Sequence, residues 1–182
     1  MRILALALVM MMLVGCGAHE SSPDSGVVRA GDAGELVGTI ERIVSRGGGS
    51  IEKARRKAEG ILRSAAERAG DTQTREIFRT METALGRAKI DMPPAGHELK
   101  ACARDRRTLA FVNMLERGVI HVCGRAAGAS ENRLGQILIH ETAHLVGIED
   151  ECSATRIEVA AQRGTGHRLS FRNGYMKGCG IR

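Results

Sequence analysis

The sequence predicts an α+β fold, with a helical N-terminal part packed on a small C-terminal part that holds a short strand pair and two consecutive helices. Three observations carry this. Apolar residues recur at helical spacing from residue 51 towards the prolines at 93 and 94. The period then becomes extended in RTLAFVN and GVIHVCG, and it turns helical again across LGQILIHETAHLVGIEDECSATRIE, Leu134 to Glu158. A chain of 182 residues is long enough for one core, or a core with a helical attachment.

Residues 1–15 carry one early charge, Arg2, and then the apolar run ILALALVMMMLV, which is too short to span a bilayer and sits where a secretory h-region belongs. The run ends in LVGC, which resembles the lipobox of bacterial lipoproteins. That resemblance implies cleavage before Cys16 and acylation of its thiol and new amino group, a membrane anchor far firmer than one chain provides. Gly17 follows rather than Asp, which by the same resemblance points to the outer membrane, facing the periplasm. Residues 16–34 read as a flexible tether between lipid and folded part.

The helical region spans 35–92. A first helix, Glu35 to Arg46, stops at Gly47, Gly48 and Gly49. Ser50 can cap a second, Ile51 to Ala69, with its stripe at Ile51, Ala54, Ala58, Ile61, Leu62 and Ala65. After Gly70, Asp71 or Thr72 caps a third that ends before Pro93, with a stripe at Ile77, Met81, Ala84, Leu85 and Ala88. Residues 93–182 form the second region. Its strand pair, RTLAFVN and GVIHVCG, is joined by MLER, and His121 in the second strand either faces a cleft or occupies an ordinary half-exposed position.

Within Leu134–Glu158, His140, Glu141 and His144 spell H-E-x-x-H. Two histidines four apart on a helix share a face about 5 to 6 Å apart, within reach of one zinc held about 2.1 Å from each nitrogen. Glu141, beside the first, can act as general base on the water that such a metal activates. Leu134, Ile137, Leu138, Ile139, Ala143, Leu145, Val146 and Ile148 make this helix apolar nearly all round, and a buried helix does not carry three ionisable groups without partners.

This segment resembles the active-site helix of zincin metallopeptidases, strongly over about 25 residues and loosely over the C-terminal half. The resemblance implies a zincin-like catalytic region, a zinc-dependent peptidase with a strand edge beside its cleft to which a peptide or protein substrate can add. It leaves the third zinc ligand open. HETAHLVGIED fits a form in which Asp150 binds the metal, and ECSA fits a form in which Glu151 does. Gly147 is placed to end the helix, Asp150 to cap the next with its own oxygens, and Glu151 and Glu158 share one face of that next helix. Glu151 is therefore the first choice, Glu158 the second and Asp150 the third, with bonding to a ligating imidazole the role left for a carboxylate not chosen. In the tail, Tyr175 or His167 is placed to donate to an oxyanion.

Without Cys16, four cysteines remain in an exported chain, Cys102, Cys123, Cys152 and Cys179, with no C-x-x-C pair among them. Two disulfides are favoured over a thiolate metal site, paired 102 with 123 and 152 with 179 as neighbouring segments. Basic and acidic residues are interleaved at a net charge of +6, and with three Phe, one Tyr and no Trp there is little for bases to stack on, which argues against nucleic-acid binding. The leading expectation is a zinc hydrolase of the cell envelope. Its rivals are a structural envelope lipoprotein without activity and a zinc amidase acting on cell-wall peptides.

Overall fold

A computed structural model describes residues 50–93, 97–169 and 174–181. The expected signal segment with Cys16, the expected tether and the helix expected over Glu35–Arg46 lie outside them. Helix α1, residues 50–68, buries all six residues of its expected stripe. Helix α2, Thr72–Arg87, starts on Asp71, whose carboxylate accepts from the Thr74 amide at 2.8 Å, a cap that satisfies one of the free N–H groups of the first turn. Its buried face is Phe78, Met81 and Leu85, so the stripe is rotated from the one expected: Phe78 is buried where Ile77 was placed, and Ile77 packs at the margin.

The third helix does not run to the prolines. It ends at Arg87, Ala88 is extended, and Lys89–Asp91 forms strand β1. Strand β2, Ala110–Val112, and strand β3, Val119–Val122, lie within the two stretches expected to pair, and do so antiparallel, with Phe111 opposite His121. On the other side β1 runs parallel to β3, so the sheet has three strands in the order β1-β3-β2 rather than two. Three residues offer too little alternation to stand out after a helical stripe, and pairing with β3 overrides local propensity. A short helix, α3, Lys100–Arg104, was also not foreseen; its one buried residue, Cys102, is bridged to Cys123 at the end of β3.

Helix α4, Glu131–Leu145, is the hub. It packs on α2, on β2 and β3, and on helix α5, Glu151–Gly164, while α1 crosses it so closely that a Cβ on Gly135 would sit 3.3 Å from the Ala54 carbonyl oxygen. One apolar core joins α1, α2, the sheet, α4 and α5. Helix α6, Gly174–Gly178, packs on α5 and is tied to its first turn by the disulfide Cys152–Cys179. Both disulfides are the expected pairs. The architecture is α+β, mostly helical around a small sheet. Among the described residues, no helix is long and apolar enough to cross a membrane.

Candidate metal centre

The centre is built by two helices and the turn between them. Gln136, His140 and His144 fall four apart along α4 and so lie on one face. The helix ends as the spacing predicts, at Gly147, whose φ of +94° is the left-handed conformation that favours glycine. The Gly147 amide donates to the His144 carbonyl at 2.9 Å and the Ile148 amide to the Ala143 carbonyl at 3.0 Å, the paired bonds that close a helix C-terminus. Asp150 then accepts from the Ser153 amide at 2.7 Å and caps α5. This turn folds α5 back along α4, so that Glu151 faces His140 and His144 while Glu158, two turns on, faces His140 and Gln136.

Three donor atoms converge. His140 Nε2 lies 3.1 Å from Glu151 Oε2 and 3.3 Å from His144 Nε2, and His144 Nε2 lies 3.6 Å from the same Glu151 oxygen. A tetrahedral ion with bonds of about 2.0 to 2.1 Å needs its ligand atoms about 3.3 to 3.4 Å apart, so the triangle has the size that zinc requires. Two imidazole nitrogens and one carboxylate oxygen are also a donor set that suits zinc. The residues present fit the ion.

The far side of each ring is engaged as well. His140 Nδ1 is 3.1 Å from Glu158 Oε2, and His144 Nδ1 is 2.7 Å from the Ile148 carbonyl oxygen. Both partners are acceptors, so each ring carries a proton on Nδ1 and turns Nε2 towards the other donors, where it offers its lone pair to a metal once it holds no proton of its own. Glu158 is itself held, taking a bond from Gln136 Nε2 at 2.6 Å, and is 1 % exposed. Burial pulls the His140 pKa down, but hydrogen bonding to Glu151 and Glu158 outweighs it and holds the group at about 10, well above the usual 6.5. The bond from His140 in turn holds the Glu151 carboxyl below its usual range. The pocket is thus charged to receive a cation at Nε2, a proton or a metal.

Glu141 points the other way in function: it shares no bond with the triangle yet lines the same cleft. Burial raises its pKa to about 7; the charge of His140 opposes that rise and Glu151 and Glu158 add to it. The cleft has a volume of about 1000 Å³ and runs between α4 and the segment leading into and through β2. Among the described residues β2 pairs only with β3, so its other edge has no strand beside it there.

The structure therefore brings together His140, Glu141, His144, Glu151 and Glu158, and sets Asp150 apart as a cap. His121 is not a cleft residue: it is buried, bonded to Asp91 Oδ2 at 3.1 Å and Glu116 Oε2 at 2.9 Å, and stacked on Phe111. His167 is exposed beyond α5 and does not line the cleft. The side chain of Tyr175 lies outside the described residues. Sequence reasoning missed Gln136 and the Ile148 carbonyl. The first left a signal, a polar residue one turn before His140 on an apolar helix; a backbone carbonyl leaves none. Comparison of the chain with protein-family models, with curated proteins and with solved structures finds no match.

Proposed function

We propose that this protein is a zinc-dependent peptide hydrolase of zincin type. The observation that carries the reading is the triangle of His140, His144 and Glu151 opening on a cleft lined also by Glu141. A zinc ion supplies such a site with a Lewis acid for the substrate carbonyl and brings the pKa of water down to about 7. His140, His144 and Glu151 hold the ion; Glu158 and the Ile148 carbonyl hold the two rings in the tautomer that binding requires. Glu141 takes the proton of the attacking water and delivers it to the leaving amine. A carboxyl that titrates near pH 7 is suited to both transfers, and a neighbouring cation would lower it from there towards the base form.

A structural site would be closed by a fourth protein donor. Among the described residues the group counts three, which favours catalysis over the structural lipoprotein. The cell-wall amidase shares the same chemistry and differs in substrate. Zinc-loaded protein should hydrolyse members of a peptide library, and Glu141→Gln should keep its zinc while activity falls by about two to four powers of ten. Equal activity in Glu141→Gln would remove Glu141 from the mechanism, and zinc-loaded protein that cuts no peptide but releases peptides from peptidoglycan would establish the amidase. We place the protein at the cell envelope, anchored through Cys16 to the outer membrane. Cys16→Ser should abolish acyl labelling and release the chain from the membrane fraction, and unchanged labelling would exclude the anchor.

A further inference from the structure

The walls of the cleft are charged unevenly. Arg133 sits on α4 seven residues before His140 and eight before Glu141, on the stripe that faces the cleft with Ile137 and His144. Arg106 and Arg107 line it from the segment that leads into β2, and among the described residues neither guanidinium has a carboxylate within ion-pair distance; the adjacent Asp105 accepts from the Arg107 amide and the Thr108 hydroxyl. The start of β2 and the start of α4 belong to the same end of the fold: Ala110 pairs with Val122, and the chain passes from there to α4 through the tight turns of 123–130. At the opposite end of α4, Glu149 lines the cleft and the carboxylates of the metal centre begin.

We infer that the cleft selects anionic peptides, whose carboxylate is held by Arg106, Arg107 and Arg133 on one side of the bond to be cut. The inference rests on the hydrolase reading of the same site. Seven helical residues advance about 10 Å, and an extended peptide advances about 3.3 Å per residue, so the carboxylate lies about three residues from that bond. Arginine suits the task because its planar fork takes both oxygens of a carboxylate. Glu149 at the other end repels a second acidic group, which gives the substrate a direction. An acidic side chain and a free C-terminal carboxylate offer the same chemistry.

The test uses the full chain in detergent, loaded with zinc and carrying Glu141→Gln, so that binding is read apart from turnover. Fluorescent octapeptides with one Glu, Gln or Lys walked through the sequence are titrated by anisotropy, each as C-terminal amide and as free acid. Glu at one or two positions should tighten binding about tenfold or more over Gln, and the gain should shrink at high salt. Arg133→Gln, and Arg106→Gln with Arg107→Gln, should bring the Glu to Gln ratio towards one, and Arg133→Glu should turn the preference to Lys. A gain in the amide series identifies an acidic side chain as the ligand, and a gain confined to the free acids identifies the chain terminus. Equal binding of the Glu, Gln and Lys peptides, or a preference that survives the arginine substitutions, overturns the inference. With the chain otherwise wild type, turnover separates the two readings. Cleavage without charge preference removes the inference and leaves the hydrolase, while selective binding of acidic peptides with no cleavage of any peptide removes the hydrolase and leaves only the selection of anionic peptides by the three arginines.

Discussion

At the scale of the residue, His140 meets Glu151 through one ring nitrogen and Glu158 through the other, and the two carboxylates must therefore answer differently to the same substitution. Glu151→Gln removes a charged oxygen from the triangle, so zinc affinity should drop sharply and activity should return in part with added zinc. Glu158→Gln keeps the triangle and loosens one ring, a cost of about 10- to 100-fold in affinity or activity. Zinc titration of both variants decides; Glu158→Gln stripping the metal while Glu151→Gln retains it would reverse the two roles. That Glu151 and Glu158 share a face was legible from their separation by seven. Which of them meets Nε2 depended on the depth of the turn at Gly147, and that turn is tertiary geometry. The same groups set a pH dependence. The folded pKa of His140, about 10, lies above its ordinary 6.5, and that of Glu141, about 7, lies above 4.5. Each folded form holds its proton more tightly than the unfolded chain, so the stability they contribute is full at low pH and is lost as pH rises, through about 7 for Glu141 and about 10 for His140. The melting temperature of metal-free protein should fall between pH 6 and pH 10, and zinc, which replaces the His140 proton, should flatten that fall. A metal-free melting temperature that rises over this range would contradict the electrostatics of the site.

At the scale of the element, α4 works because it is buried on almost every side and its neighbours approach closely. Gly135→Leu would drive a side chain into the backbone of α1 at Ala54 and should destabilise the fold by about 1 to 3 kcal/mol or more, measured by denaturant unfolding. An unchanged midpoint would mean that α1 does not pack there. The bridge Cys152–Cys179 sits beside Glu151 and joins residues 27 apart in the chain. Cys152→Ser with Cys179→Ser should cost about 2 to 4 kcal/mol of stability and weaken zinc binding by freeing the first turn of α5; a stable variant with unchanged zinc affinity would detach the bridge from the centre. Both helices of the centre, and their caps at Gly147 and Asp150, were legible because long periodic stretches and capping chemistry are local. β1 was not, since Lys89–Asp91 becomes a strand only through its partner, and Phe78 was passed over because Ile77 fits a helical stripe almost as well.

At the scale of the whole molecule, one apolar core carries the α1 and α2 layer, the sheet and the helix pair together, and the cleft lies between α4 and β2 with the segment that leads into it. The α+β class was legible because helical and extended periods occupy separate stretches of the chain. The arginines of the cleft were not, because Arg106, Arg107 and Arg133 look like ordinary surface charge until the fold turns them to one cavity. The hydrolase reading rests on a metal held by His140, His144 and Glu151. The most direct test is elemental analysis of the purified chain after zinc reconstitution and desalting. About one zinc per chain, lost in His140→Ala and in His144→Ala, is the expected result; a chain that retains no zinc, or one that keeps it in both variants, would contradict the account.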